Sequence, residues 1–381
     1  MDNITHSLIG LTAAKAGLEK LSPGATTLCV LAANSPDSDI VVLIFGGRWT
    51  FLQQHRGISH SIVGVIALAL VLPLIFYLGD LVLARTRHRQ RRVKLPGLLL
   101  ASGVATATHP LMDWTNNYGI RLLLPWSQRW FYGDFVFIVD PFIWIVLGGA
   151  AFLLTAKTTK HHIAWAVVAL VPSLVVLVGS AGPDIGGSQL VLRLVWIVAL
   201  IGLVVLYRRN IFRHGGGKIA ALALAIVAMY CSGLAATHLV ALRQAKLQAV
   251  SIAKGNAETV SRVVAMPTAA NPTQWVCVME TERATYRFML SLLRSQLDTT
   301  TIVRYEKPAG LTAEAVADAA REERSQIFLG FARFPVVRVL GEDCATQTLV
   351  QFADLRYTEP GKGRGTFSLD VPVDCPVLAK P

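Results

Sequence analysis

The fold class follows from residues 61–84, which read SIVGVIALALVLPLIFYLGDLVLA. The run exceeds the roughly 20 apolar residues that a helix needs to cross the hydrocarbon core of a bilayer. Its only charged side chain is Asp80. Hydrophobic residues make up 53% of the chain and charged residues 16%, whereas soluble domains have about 25% charged residues. The composition therefore places the chain among integral membrane proteins.

Further apolar segments lie on the C-terminal side of this run. We predict additional membrane spans at residues 97–113, 136–156, 162–181, 189–207 and 219–242. Residues 4–18 carry apolar side chains at helical spacing, and residues 25–46 are apolar but interrupted by the polar stretch NSPDSD. The interruption predicts two short helices around a polar loop that is covered by protein or faces a wet cavity, because irregular backbone cannot face lipid.

The loops differ in their basic residues. The loop after residues 61–84 reads RTRHRQRRVK, two later loops are also basic, and the alternate loops carry only Arg121 and Arg129. Basic loops stay in the cytoplasm, so we expect the alternate loops and the tail from Arg243 at the outer, periplasmic face of a bacterial membrane. The same loops account for the net charge of +12, and nucleic acid is not an expected partner.

The chain divides after the last apolar segment into two predicted domains. We expect a transmembrane metal-site domain over residues 1–242 and a periplasmic α+β domain over residues 243–381. The fold class is thus mainly α, a polytopic transmembrane helix bundle with a small C-terminal extramembrane domain. The opening residues MDNITH lack a basic region and a cleavage site, so no cleaved signal peptide is expected.

The tail alternates apolar and polar residues between turn signals, as an antiparallel sheet requires. The pattern predicts five strands, at residues 273–280, 285–292, 335–340, 346–357 and 366–373. It also predicts one helix over residues 311–326, with Thr312 as its N-cap. Three of the five cysteines lie here, and Cys344–Cys375 is the preferred pair in an oxidising compartment.

Seven His and Asp side chains recur in four motifs at the edges of apolar segments in the first third of the chain. The motifs are THSLIG, NSPDSD, HRGISHS and HPLMD, and the side chains are His6, Asp37, Asp39, His55, His60, His109 and Asp113. Ionisable groups at membrane depth are costly and indicate a functional site. Imidazoles and carboxylates together suit a divalent metal. We therefore predict a metal site, with zinc as the expected ion and manganese as the alternative.

The spacing within the motifs supports convergence on a metal. His109 and Asp113 are four residues apart, so both lie on one helix face, with Pro110 marking a helix end. Asp37 and Asp39 are close enough to repel each other unless a cation lies between them. Because seven donors exceed the three or four of one catalytic zinc, the set favours two or more ions that clamp the oxygens of a displacement.

Other polar residues accompany the motifs. Arg56 is expected to stabilise developing negative charge, and Asp140 is either an N-cap or a partner of a ligating imidazole. Asn34, Asn116 and Asn117 are suited to orient water or substrate. The aromatic residues at 114, 126, 130 and 132 are typical of an interfacial belt.

The four motifs, with MDNITHSLIG at the start and HPLMDWTNNYGIRLLLP at the end, resemble a bacterial family of integral-membrane proteins described as metal-dependent hydrolases. The resemblance covers about residues 1–145. It implies a membrane-embedded hydrolase whose metal ligands correspond to the seven His and Asp residues above. The spaced motifs are also distantly similar to those of zinc-dependent phospholipase C and single-strand nucleases.

Our first functional hypothesis is a hydrolase at the outer membrane face. A metal-activated water would attack a phosphoester or acyl bond of a lipid or lipid-linked substrate. Asp37 or Asp39 would bridge metals or act as general base, and the other five would be ligands. The alternatives are a metal or ion transporter, since intramembrane His and Asp also form ion pathways, and a non-catalytic membrane scaffold.

Overall fold

The computed structural model describes residues 1–179, 188–210, 216–294, 296–340, 347–362 and 365–374. The Cys344–Cys375 pair lies outside the described residues. The predicted fold class is confirmed: the chain is mostly helical, at 61%, and carries a small C-terminal domain with two antiparallel sheets. Among the described residues, five helices are long and apolar enough to cross a membrane.

The elements of the described residues run in this order. The helices are α1 (Asn3–Ala16), α2 (Ala25–Asn34), α3 (Val42–Gln54), α4 (Ile62–Thr86), α5 (Leu95–Trp114), α6 (Pro141–Thr155), α7 (Thr159–Leu174), α8 (Ser188–Arg208), α9 (Gly216–Gly255), α10 (Leu311–Ala320) and α11 (Glu323–Phe331). The strands are β1 (Val260–Thr268), β2 (Asn271–Thr281), β3 (Ala284–Ser291), β4 (Val303–Glu306), β5 (Pro335–Leu340), β6 (Gln347–Asp354) and β7 (Ser368–Asp374).

The chain forms two compact units. The first contains Met1–Ser38, Arg56–Ala236 and Ala269–Asn271, and the second contains Asp39–His55, Thr237–Thr268 and Pro272–Pro381. The second unit thus takes in α3 as well as the C-terminal strands and helices.

Small residues hold the helices of the first unit together. The cluster that joins α1, α2 and α5 contains Ala14, Ala25, Ala32, Ala101 and Ala105, all fully buried. A side chain on Gly10 would come within 2.6 Å of the Cys29 carbonyl oxygen, so α1 and α2 meet backbone to backbone. Close approach of this kind drives helix association in a bilayer, where lipid tails are as apolar as leucine.

The polar interruption in the second apolar segment has the predicted form. A 3-10 turn over Ser35–Val41 separates α2 from α3. A second 3-10 turn, Ile58–His60, precedes α4, and the Ser61 hydroxyl caps α4 by accepting from the Gly64 N–H. The prediction that Pro110 marks a helix end is wrong, because α5 continues to Trp114.

The second unit contains two antiparallel sheets, ordered β1-β2-β3-β4 and β5-β6-β7. All five predicted strands are present, and sequence analysis missed β1 and the four-residue β4. The predicted helix over 311–326 is two helices, since Glu322 adopts extended backbone angles. Thr312 is not an N-cap: Gly310 holds that position, and the Thr312 hydroxyl donates to the Ala309 carbonyl.

Candidate metal centre

Helix α5 supplies two of the converging donors. His109 and Asp113 are four residues apart on one face of α5, and both are fully buried. The His109 Nε2 atom lies 3.5 Å from Asp113 Oδ2. Because α5 packs against both α1 and α2, this face is directed into the interior of the first unit.

The two 3-10 turns supply the next two donors. Asp37 comes from the turn after α2, and His60 is the last residue of the turn before α4. The His60 Nε2 atom lies 3.3 Å from Asp37 Oδ1 and 3.3 Å from Asp113 Oδ2. Because of the two turns, α2 ends and α4 begins close to the point where these side chains meet.

Five of the six distances between the four donor atoms match those of a tetrahedral metal site. A tetrahedral ion with bonds of about 2.0–2.1 Å has ligand-to-ligand distances of about 3.3–3.4 Å. The His60 and His109 Nε2 atoms are 3.1 Å apart, and each lies 3.3–3.5 Å from oxygens of Asp37 and Asp113. No hydrogen bond from a described residue reaches Asp113 Oδ2, although both imidazoles are near it. The donor set therefore fits a divalent ion.

Contacts on the far side of the rings orient the imidazoles. His109 Nδ1 lies 2.6 Å from the Ala33 carbonyl oxygen, which can only accept, so Nδ1 carries the proton. In the neutral ring the Nε2 lone pair then points to the other donors, as metal ligation requires. His60 Nδ1 makes a matching 3.0 Å contact with the Ser59 hydroxyl.

His6 lies at the edge of this donor set. Its ring stacks on His109 with the centroids 3.7 Å apart, and its Nε2 is 3.4 Å from Asp113 Oδ1. Neither ring nitrogen has a hydrogen-bond partner among the described residues. In its neutral form, such a ring has a lone pair to give to an ion.

A buried arginine supplies positive charge beside the carboxylates. The Arg56 Nη2 atom lies 3.0 Å from Asp113 Oδ1, and Nη1 donates to Asn116 Oδ1 at 3.1 Å. The guanidinium also lies over the Tyr118 ring, 4.5 Å from its centroid. Arg56 has a left-handed φ of 54°, a strained conformation that is frequent at functional sites. The backbone nitrogen of Met1 also contacts Asp113 Oδ1.

Five of the seven predicted ligands belong to this group in the first unit: His6, Asp37, His60, His109 and Asp113. The other two, Asp39 and His55, pair with each other in the second unit at 2.9 Å. The two interpretations of Asp140 are resolved in favour of the N-cap, because its carboxylate accepts from the first backbone N–H groups of α6.

Sequence analysis missed some of the residues that shape the site and gave another a different role. Ser59, which contacts His60 Nδ1, is among those missed. Tyr118 was not singled out, although it follows the HPLMD motif closely in the stretch WTNNYG. Asn116 was predicted to orient water or substrate, and its Oδ1 atom contacts Arg56. The Ala33 carbonyl belongs to the backbone and carries no sequence signal.

Comparison with known proteins finds a family that is similar to the part of the chain that holds this centre. Residues 1–185 match the family described as YdjM inner membrane protein. The match contains all seven predicted ligands and extends beyond the region of the resemblance noted from the motifs. Its description names a location and no hydrolase activity.

Two curated relatives are similar over this region. The uncharacterised protein YfhP of Bacillus subtilis is 28% identical over 155 residues, which are 38% of this chain and 43% of that protein. The inner membrane protein YbcI of Escherichia coli is 28% identical over 162 residues, 42% of this chain and 82% of that protein. The chain thus spans less than half the length of the first relative. No solved structure matches. Together with the apolar helices, these matches support a multi-pass inner membrane protein.

Proposed function

We propose that this chain is a membrane-embedded metal-dependent hydrolase that cleaves a phosphoester or acyl bond of a lipid or lipid-linked substrate. The observation that carries the proposal is that two imidazole nitrogens lie 3.1 Å apart and each lies 3.3–3.5 Å from two carboxylate oxygens in a buried site. A transporter needs a polar path through the membrane, whereas these donors converge on one point.

The donor set suggests which residues bind the ion and which one accepts a proton. His60, His109 and Asp113 would hold a divalent ion, as three protein ligands do in catalytic sites, and Asp37 would share the fourth position with water. Such an ion supplies a Lewis acid that makes water nucleophilic at neutral pH. The Asp37 side chain is 11% exposed, while those of His60, His109 and Asp113 are fully buried. Water and substrate therefore approach from the side of Asp37, which we assign as the carboxylate that accepts the proton.

Arg56 would stabilise the negative charge that develops during the attack. Its guanidinium is fixed by Asp113, Asn116 and the Tyr118 ring. A fixed positive charge in a water-poor site stabilises negative charge that develops on a phosphoryl or carbonyl oxygen, at no cost of reorganisation. His6 extends the donor set toward the N-terminal end of α1 and is suited to a second ion.

The basic loops orient the protein in this proposal. With the loop after α4 in the cytoplasm, the motifs containing His60, His109 and Asp113 lie at the outer face, and so does the C-terminal domain. The substrate bond would then lie at the depth of the lipid headgroups of the outer leaflet.

The test is hydrolysis by the full chain in nanodiscs of phosphatidylglycerol and phosphatidylethanolamine. Mass spectrometry would follow released headgroups, phosphorylated headgroups and fatty acids, with zinc or manganese added or with a chelator. We expect ion-dependent product that is lost in His109→Ala and retained in His238→Ala, a control on α9 outside the donor set. Equal product from His109→Ala would contradict the proposal. So would the absence of any cleavage product, of a phosphoester or of an acyl bond, with every ion tested.

A further inference from the structure

An apolar cavity of about 350 Å³ lies within the first unit, among helices α1, α6, α7 and α8. Its walls include Ile4 and Leu8 of α1, Phe152 of α6, and Leu200 and Leu203 of α8. Except for His162, every residue that lines it has an apolar side chain. The cavity is open to its surroundings on one side, since the lining residues Val168 and Val204 are 44% and 49% exposed.

The three indole rings in the wall present only carbon to the cavity. Their N–H groups donate elsewhere: Trp144 to Asp2 and Thr5, Trp165 to Thr155, and Trp196 to Ser173. His162 is likewise engaged by the Tyr207 hydroxyl at 2.8 Å. The cavity therefore offers its occupant dispersion contacts and no hydrogen bond, which suits a hydrocarbon chain.

The position of the cavity indicates which kind of hydrocarbon would occupy it. Helices α7 and α8 lie in candidate membrane spans, over Thr159–Val178 and Gln189–Arg208, so the surrounding medium is lipid acyl chains. Along α6, Trp144 and Phe152 both line the cavity, and eight residues of helix extend about 12 Å. A space of this length and chemistry accommodates a segment of one acyl chain.

Helix α1 separates the cavity from the candidate metal centre. Ile4 and Leu8 line the cavity. His6 is two residues from each of them and therefore lies on the opposite face of α1, where it stacks on His109 and lies 3.4 Å from Asp113. A chain seated in the cavity would thus lie on the other side of α1 from the donor set.

We propose that this cavity binds one acyl chain of a membrane phospholipid, on the side of α1 away from the donor set. The binding does not depend on the proposed hydrolase function and can be measured without turnover. It assigns a lipid-binding role to residues of α6, α7 and α8 that contribute no metal ligand.

The test uses variants whose new side chains fill the cavity, and it measures contact between the lipid and the cavity wall. Gly148→Leu adds volume where a new Cβ would meet only Leu8, at 3.7 Å, and Ala169→Phe fills the same space from α7. The matched control is Gly202→Leu on α8, which adds the same side chain at a position that does not line the cavity and has nothing within 4 Å of its Cβ.

The probe is phosphatidylglycerol with brominated acyl chains in nanodiscs, which quenches tryptophan on contact. All variants carry Phe in place of six of the eight tryptophans, with Trp144 and Trp196 retained because they line the cavity and are only 5% and 3% exposed. Without divalent ions, we expect quenching in the parent and in Gly202→Leu. Most of it should be lost in Gly148→Leu and in Ala169→Phe.

The outcomes separate this inference from the hydrolase proposal. Selective loss of quenching in the filled variants supports the acyl-chain site even if no hydrolysis is found. Equal quenching in Gly148→Leu, Ala169→Phe and Gly202→Leu would overturn the site, and ion-dependent hydrolysis in the same samples would leave the hydrolase proposal standing.

Discussion

The orientation of two imidazole rings decides whether the donor set can hold an ion. His109 is fixed by a backbone carbonyl and His60 by a serine hydroxyl, so that both Nε2 atoms point to one place. Groups that orient ligating histidines also raise their basicity, and their loss costs about 10–100-fold in metal affinity. The contacts behind the rings are therefore as much a part of the site as the ligands.

Ser59→Ala tests this role at a single hydroxyl. We expect a fall of about 10–100-fold in the affinity for zinc, because the His60 ring loses its partner while its Nε2 atom remains. The affinity would be measured by competition with a chromophoric chelator, using the full chain in detergent. Ser232→Ala, which removes an exposed hydroxyl from α9, is the control. An unchanged affinity for zinc in Ser59→Ala would exclude Ser59 from the site.

Residue types alone predict the chemistry that we propose for the site. His and Asp in four membrane-edge motifs predict a divalent metal, and the i, i+4 spacing of His109 and Asp113 predicts their shared face. The meeting of Asp37 with His60 and His109 depends on how three helices and two turns pack, and single-sequence spacing does not contain that information. The same limit explains why Tyr118 was missed beneath Arg56.

At the scale of elements, length and periodicity determined which predictions succeeded. Long apolar helices such as α4 and α8 have few alternatives in a membrane, and both were predicted. Strand β1 follows α9 within a few residues and β4 has only four, so neither gave a separate pattern. The break between α10 and α11 has no Gly or Pro at Arg321 or Glu322, which are the usual signals.

A buried carboxylate ties together several strands of the second unit. Glu258, just before β1, accepts from Thr281 and Tyr286 of β2 and β3 and from Arg304 of β4 at 2.7–3.0 Å. Burial raises the pKa of Glu258, but the hydrogen bonds from Arg304, Thr281 and Tyr286 outweigh it and lower the pKa below its ordinary value. The ionised form therefore stabilises the sheet.

The network predicts an acid-sensitive sheet. A carboxyl group with a lowered folded-state pKa contributes its full stability above its unfolded pKa of about 4.3, and that contribution is lost as the pH falls further. Hydrogen-exchange protection of β2 and β3, corrected for intrinsic rates, should decrease on acidification in the wild type. Glu258→Gln should be less protected at neutral pH and less sensitive to acid. The same acid dependence in both proteins would contradict the assignment.

For the whole molecule, the distribution of basic loops predicts one orientation. We expect the stretch RTRHRQRRVK after α4 in the cytoplasm and the two sheets of the second unit in the periplasm. Two exposed positions report on this, Arg91 in the basic loop and Leu293 after β3, which is 80% exposed.

Cysteine labelling in spheroplasts tests the orientation. In a background without native cysteines, Leu293→Cys should react with a membrane-impermeant maleimide, and Arg91→Cys should react only after lysis. Labelling both variants after lysis controls for their reactivity. The reverse pattern would place the candidate metal centre at the cytoplasmic face and remove outer-leaflet lipids as its substrates.

The central claim is that Asp37, His60, His109 and Asp113 hold a divalent ion, and the metal content of the purified full chain tests it most directly. Elemental mass spectrometry would compare the wild type with the double variant His60→Ala, Asp113→Ala and with His238→Ala, Asp318→Ala as the matched control. We predict at least about one zinc or manganese ion per chain in the wild type and in the control. We predict no bound metal ion in the double variant. No metal in the wild type after reconstitution with divalent ions, or equal metal in the double variant, would contradict the account.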